Sequence, residues 1–331
     1  MATTVNNAFL EFLKNTVNLD PDITKNARQS RDNLLKNISE FSGNDDFFNL
    51  ASSFNISFGS FARKTKCREL DDIDLMIGIS ANGATYNSLS WDNNIITASK
   101  TEKAQISCAN EDGTLNSIKV VNRFKKELEY VREYKKSEIK RNQEAIVLNL
   151  ISKDWSFDIV PCFQTTQEND GRTYYLIPDG KGGWKKTDPR IDRDAIQNIN
   201  QKLEGKVLEL IRLIKRWNRV KNISTLPSYL FETLLLEHFK TMETLVGNSR
   251  LSFLVALVYI ASNIHSPIYD PKNIQGNINT LSYEDRNAVR RKALEDAEKA
   301  LNAIELEDQN NHSSAINIWC EIFGKDFPKY E

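Results

Sequence analysis

Read for its alternation of apolar and polar positions, the chain changes period twice. Over residues 8–19 and 23–41, apolar side chains recur at helical spacing. In the second stretch Leu34, Leu35, Ile38 and Phe41 share a face, with Arg28, Arg31 and Lys36 mostly elsewhere on the wheel. Two helices are predicted there. The period then shortens. Residues 52–58 alternate and break at Gly59, residues 73–79 form a short apolar run with Asp74 inside it, and residues 145–151, 156–160 and 173–177 are further β-like runs. Between them, residues 119–141 predict one long charged helix, and the Asn- and Ser-rich stretch 80–117 predicts a mobile insertion. From about Arg193 the pattern is helical to the end. Leu203, Val207, Leu210, Ile211, Ile214 and Trp217 form one apolar stripe, and helices are predicted over 229–239, 251–264, 283–304 and 315–323. The expected architecture is a mixed α/β (α+β) lobe over residues 1–192, followed by a helical lobe over 193–331.

Charge and composition narrow the classes. The 331 residues suffice for two such lobes. With 44 basic and 45 acidic residues the formal net charge is −1, without the basic excess of a duplex-DNA or membrane-surface binder. In 119–141 the basic residues are interleaved with Glu127, Glu129, Glu133 and Glu138, which reads as a solvated face with i,i+4 pairs. Cys67, Cys108, Cys162 and Cys320 form no CxxC pair, and His238, His265 and His312 are equally scattered. That spacing predicts free thiols, a reducing cytoplasm and no structural zinc. Residues 1–19 contain Glu11 and lack a signal-peptide core, and the apolar run 251–264 is too short to span a bilayer.

The chemistry concentrates in three aspartates. Residues i and i+2 of a strand point to the same face, so Asp72 and Asp74 project two carboxylates side by side while Ile73 and Leu75 face the other, buried way. Adjacent carboxylates repel unless a cation sits between them, and Mg²⁺ prefers such hard oxygen ligands and shares them with phosphates. Asp158 lies inside the apolar run Trp155-Ser156-Phe157-Asp158-Ile159-Val160-Pro161, where a lone carboxylate is costly unless paired or metal-bound. Three strand-borne carboxylates can hold two Mg²⁺ ions (Mn²⁺ substituting), one activating a hydroxyl and one neutralising triphosphate and departing pyrophosphate. Gly59 and Ser60 supply a complement: a glycine directly after a strand lets backbone N–H groups approach phosphate oxygens, with the Ser60 hydroxyl beside them. A Gly-Ser pair alone occurs in countless turns, and its weight comes from the Asp72-Ile73-Asp74 triplet twelve residues on (72 − 60 = 12) and the third strand aspartate.

Gly59-Ser60-Phe61-Ala62-Arg63-Lys64-Thr65, Asp71-Asp72-Ile73-Asp74-Leu75 and Phe157-Asp158-Ile159-Val160-Pro161 together resemble the bacterial cGAS/DncV-like nucleotidyltransferases of CBASS antiphage systems. These belong to the DNA polymerase β-like superfamily, with cyclic GMP–AMP synthase and the oligoadenylate synthetases as animal relatives. The likeness continues in Leu213-Ile214-Lys215-Arg216-Trp217-Asn218, Pro227-Ser228-Tyr229-Leu230 and the terminal Trp319, Phe323-Gly324 and Phe327-Pro328. It implies a polymerase-β-like nucleotidyltransferase core with a mixed sheet plus a C-terminal helical lobe, with Gly59 and Ser60 on the triphosphate and Asp72, Asp74 and Asp158 on Mg²⁺. It further implies Lys215 and Ser228 on donor phosphates and Tyr229 stacked on the donor base. Standing alone, Lys215 would read as a solvated lysine and Tyr229 as a core aromatic. Arg63 and Thr65 would either support the Gly-Ser turn or touch substrate.

The function so implied is the joining of ribonucleoside triphosphates, ATP among them, into a cyclic di- or trinucleotide that acts on a separate effector protein. A monomer, no membrane and no duplex-DNA requirement are expected, since the zinc-binding insertion of the animal DNA sensor has no counterpart here. Two other readings remain open at this stage. A tRNA- or protein-modifying nucleotidyltransferase would need an acceptor-binding domain or basic surface, and an inactive nucleotide-binding scaffold would have lost a carboxylate.

Overall fold

The computed structural model of the chain describes residues 2–43, 46–223, 226–245 and 248–331. In chain order the elements are α1 (Val5–Phe12), α2 (Pro21–Ser39), β1 (Ile56–Phe58), α3 (Gly59–Ala62), β2 (Asp72–Gly78), β3 (Thr85–Ser90), β4 (Asn93–Thr97), α4 (Lys103–Cys108) and α5 (Ser117–Tyr130). There follow β5 (Glu138–Asn142), β6 (Ala145–Asn149), β7 (Ser156–Gln164), β8 (Tyr175–Pro178), β9 (Trp184–Thr187) and the helices α6 (Pro189–Lys202), α7 (Val207–Val220), α8 (Ser228–Lys240), α9 (Ser249–Asn263), α10 (Tyr283–Asp308) and α11 (His312–Phe323). Two compact units emerge: a sheet unit of Asp22–Arg63 and Leu70–Arg193, and a helical unit of Met1–Pro21, Lys64–Glu69 and Asp194–Glu331.

The sheet is mixed, as the family resemblance implies. Its centre is the parallel pair β2 and β7, in register from Asp72 opposite Ser156 to Gly78 opposite Cys162. Strand β1 lies antiparallel on the free edge of β2, β6 antiparallel on β7, and the order among the described strands is β1-β2-β7-β8-β9-β4-β3, with β5 outside β6. Central strands are covered on both faces and so read as apolar runs: Met76, Ile77, Val160 and Cys162 are all buried. Helix α5 buries Val120, Val121, Phe124 and Leu128, and Phe124 meets Phe47 edge-on at 4.9 Å.

Two expectations are corrected here. The helix predicted over 119–141 ends at Tyr130; a 3-10 turn at Arg132–Tyr134 follows, and then strand β5. β5 is an edge strand whose residues are exposed apart from half-buried Ile139, so it carries charge instead of an apolar alternation, and Glu, Lys and Arg mimic a helix. Its partner holds it: β6 pairs with it from Glu138 opposite Asn149 to Asn142 opposite Ala145. The stretch 80–117 is likewise built into the sheet, as the β3–β4 hairpin and α4. Buried Asn94 donates through Nδ2 to the carbonyls of Ser90, Trp91 and Trp184, stitching the hairpin to β9. A polar stretch whose amides satisfy backbone carbonyls reads from sequence as a loop.

In the helical unit the core gathers α1 and α6–α11. Phe9 and Phe12 of α1 pack on Trp319, Phe323 and Phe327, with Phe9–Trp319 centroids 4.9 Å apart at 87° and Phe12–Phe323 at 5.0 Å. Truncating such a buried aromatic to alanine costs about 3–5 kcal/mol. This packing explains why residues 2–21 group with the C-terminal helices and not with the sheet. The expected stripe from Leu203 to Trp217 is divided: Leu203 follows α6, Gly205 turns with φ +80°, and α7 then carries Val207, Leu210, Ile211, Ile214 and Trp217 inward. Among the described residues no helix is long and apolar enough to cross a membrane.

Candidate active site

On the sheet unit, the two-residue period of β2 appears as alternating burial. Asp72 and Asp74 are half-buried, while Ile73 and Leu75 are buried. β7 repeats the pattern, with half-buried Asp158 between buried Phe157 and Ile159. The parallel register sets Asp74 directly beside Asp158, so the two rise from one face on neighbouring strands roughly 4.8 Å apart, with Asp72 two residues back on that face. All three carboxylates predicted from sequence are thus brought to one patch.

Gly59 abuts the same patch. It follows β1, whose last residue Phe58 pairs with Asp74, and it opens α3 with φ +70°. A Cβ at this position would lie 1.7 Å from Asp74 Oδ2, closer than any side chain permits, so the glycine backbone occupies space next to the carboxylate. Ser60 follows in α3, whose first carbonyl accepts from Arg63 N at 3.2 Å. The donor set is purely anionic oxygen on a rigid sheet, which suits a hard divalent cation such as Mg²⁺. Among the described residues no three His, Cys, Asp or Glu side chains already stand in metal-holding geometry. The fit therefore rests on donor chemistry and strand register.

The helical unit holds the other predicted residues. Lys215, Asn218 and Arg219 lie along one edge of α7 at i, i+3 and i+4, and Asn222 follows in the turn after its end. With Ser228, Phe231, Ile223 and Leu226 they line a pocket of ≈ 260 Å³. Ser228 is the first residue of α8, directly after the capping Pro227. Lys215 is mostly buried and ion-paired: its Nζ lies 2.7 Å from Oε1 of Glu232, one turn into α8. The second oxygen of Glu232 accepts from Thr65 Oγ1 at 3.1 Å.

Thr65 belongs to the segment Lys64–Glu69, which continues directly from α3 and Arg63 but packs in the helical unit. Arg212 donates to the Lys64 carbonyl (2.6 Å), Arg219 to the Arg68 carbonyl (2.9 Å), and the Cys67 thiol to the Arg212 carbonyl (3.1 Å). Burial pushes the Cys67 thiol up despite nearby Lys215, Arg219 and Arg212, which disfavours the thiolate.

Tyr229 is anchored at its hydroxyl. It donates to Asp270 Oδ1 at 2.8 Å and accepts from Lys272, whose Nζ stands 4.1 Å from the centroid of the Tyr229 ring. Lys272 and Asp270 are a buried pair at 2.8 Å. Burial raises the Asp270 carboxyl, but hydrogen bonds and charge from Lys272, with Tyr229 and the Gln275 amide, outweigh it and hold the carboxyl below its usual range. One ring face thus carries a cation. Glu232, Asp270 and Lys272 are site neighbours that the sequence reading missed. A signal existed for Glu232: it is a lone acid in the apolar run Leu230-Phe231-Glu232-Thr233-Leu234, the same oddity that singled out Asp158.

Residues 3–200 match the family described as the Second Messenger Oligonucleotide or Dinucleotide Synthetase domain. A probable cyclic nucleotide synthase of Bacillus cereus (strain VD146) is 42% identical over 335 residues, covering 100% of both chains. Among solved structures, Escherichia coli MS115-1 CdnC with ATP is similar at TM-score 0.72 and 16% identity, over 97% of this chain and 98% of that one. Vibrio cholerae DncV, a cyclic AMP-GMP synthase, is similar at TM-score 0.60 and 12% identity, over 83% and 70%. The two structures share the nucleotidyltransferase fold. The chain belongs to the second messenger oligonucleotide or dinucleotide synthetase family.

Proposed function

We propose, from that membership, that the protein joins ribonucleoside triphosphates into a cyclic di- or trinucleotide and releases pyrophosphate. The observation that carries this reading is the register of Asp74 beside Asp158 on parallel strands, with the Gly59 backbone against Asp74. Asp72, Asp74 and Asp158 would hold two Mg²⁺ ions, or Mn²⁺ in their place. Bound there, such ions supply charge neutralisation and acidify the attacking ribose hydroxyl. The chain's own part is positioning. The amides of Gly59 and Ser60 and the Ser60 hydroxyl hold triphosphate oxygens. Lys215 and Ser228 bind donor phosphates in the helical unit's pocket, and the face of Tyr229 turned from Lys272 stacks on the donor base.

ATP is the first substrate to try, since CdnC of like fold was solved with it. The product would act on a separate effector in antiphage defence, with the synthase working as a cytoplasmic monomer. Incubation with the four ribonucleoside triphosphates and Mg²⁺, followed by mass spectrometry, tests the reading: a cyclic product supports it, and unchanged triphosphates oppose it. Duplex DNA should be dispensable, because the net charge is −1 and a binder neutralising several phosphates needs a basic surface. Stimulation of about tenfold or more by a duplex of roughly four helical turns would overturn that part.

A further inference from the structure

We propose that Glu232 is a positioning residue, fixing the ammonium of Lys215 inside the pocket and coupling it, through Thr65, to the segment Lys64–Glu69. This rests on the reading of Lys215 as a phosphate-binding residue and deepens it.

The chemistry of burial leads there. Glu232 is 2% exposed and Thr65 0%. A carboxylate so deep keeps its charge only beside a cation and with its lone pairs satisfied. Both oxygens are engaged, Oε1 by Lys215 at 2.7 Å and Oε2 by Thr65 at 3.1 Å. Lys215 is a flexible four-carbon stem bearing three N–H donors. One donor directed at Glu232 sets the stem's rotamer while Lys215 also lines the pocket it shares with Ser228. An ammonium held in place before a ligand arrives loses less freedom on binding it. Thr65 sets the carboxylate in turn, from a segment that Arg212 and Arg219 clamp at Lys64 and Arg68.

Charge alone predicts the opposite sign. Glu232→Gln removes a negative charge beside the pocket, so if Glu232 were only a counter-charge, the variant would bind a polyanion more tightly. A positioning role predicts weaker binding, and only while Lys215 is present. The test is equilibrium titration of ATP with Mg²⁺ against the full chain, in a double-mutant cycle of Glu232→Gln and Lys215→Met, with a thermal melt of each variant.

Lys215→Met should weaken ATP about tenfold or more, Glu232→Gln about three- to tenfold, and the double variant should match Lys215→Met within about twofold. Thr65→Val, nearly isosteric, gives a second route should Glu232→Gln fail to fold. It should weaken ATP about two- to threefold in the native background and not at all in the Lys215→Met background. Equal weakening in both backgrounds, unchanged binding by Glu232→Gln, or tighter binding would each overturn the inference while leaving Lys215 in its role. Unchanged binding by Lys215→Met would instead remove the reading beneath it.

Discussion

The sheet unit and the helical unit present their candidate residues in opposite ways. On the sheet, Asp72, Asp74 and Asp158 come to one face through backbone geometry: a period of two along β2 and an in-register partner on β7. In the helical unit, Lys215 and Tyr229 are set by side chains distant in sequence. Lys215 is held by Glu232 and thence Thr65, and Tyr229 by Asp270 and Lys272. A strand aims a side chain by itself. A helix only chooses an edge, and a long side chain on that edge takes its final direction from whatever it pairs with. Substitutions should therefore act locally and severely on the sheet, and through partners, by degrees, in the helical unit.

The severest case is the loss of carboxylates. Asp72→Ala with Asp74→Ala should leave a folded chain, since both side chains are half-buried and the core residues Ile73 and Leu75 are untouched. Synthesis should fall by at least about a thousandfold, in keeping with the several kcal/mol that such a charge-neutralising site supplies. Mass spectrometry of the products together with a thermal melt checks both halves, and retained turnover would remove the carboxylates from the chemistry. Gly59→Ala comes next. Its Cβ would strike Asp74 Oδ2, and φ +70° strains any residue with a side chain. A stability loss of about 1–3 kcal/mol is expected, with activity lost beyond what the melt accounts for, because the displaced group is Asp74 itself. Wild-type activity in Gly59→Ala would mean that the close approach has no catalytic consequence.

The same contrast explains what was legible in the sequence. The mixed lobe, the helical lobe and the carboxylate face follow from periodicity, because alternation along a strand is written in adjacent residues. β5 and the β3–β4 hairpin escaped because their strand character comes from partners. Glu138 through Asn142 is charged, and only the ladder to β6 makes it extended; the hairpin is polar, and Asn94 supplies in side-chain hydrogen bonds what apolar alternation would otherwise announce. The site divides likewise. Gly59, the three aspartates and Ser228 after Pro227 could be placed from local spacing. Asp270 and Lys272 stand 41 and 43 residues from the tyrosine they hold, a separation that carries no local pattern.

Tyr229 separates the two modes within a single residue. Tyr229→Phe keeps the ring but takes the hydroxyl from Asp270 and Lys272, so stability should fall by about 1–3 kcal/mol with ATP affinity within about twofold of native. Tyr229→Ala removes the stacking platform as well and should cost about 1–3 kcal/mol in ATP binding. Comparison of the two dissociation constants decides between ring and hydroxyl. If the phenylalanine variant loses as much affinity as the alanine variant, the hydroxyl network is what matters to the nucleotide, and the stacking role falls.

The smallest effect expected concerns His238 and tests whether the helical unit's dependence on buried partners extends to acid. His238 of α8 is 8% exposed, stacks on Tyr259 with centroids 4.3 Å apart, and its Nε2 has no hydrogen-bond partner among the described residues. Burial alone lowers its basicity below the ordinary histidine value. In the unfolded chain the imidazole takes up a proton near pH 6.5, whereas in the folded chain it does so only at lower pH. Between those two points the unfolded state binds more protons, so stability should rise with pH and fall on acidification from about 6.5 downward. One histidine limits the slope to about 1.4 kcal/mol per pH unit. Melting curves of the native chain and of His238→Phe, which keeps an aromatic ring against Tyr259, should diverge only below about pH 6.5, the variant losing less on acidification. Parallel curves would show that His238 charges without penalty.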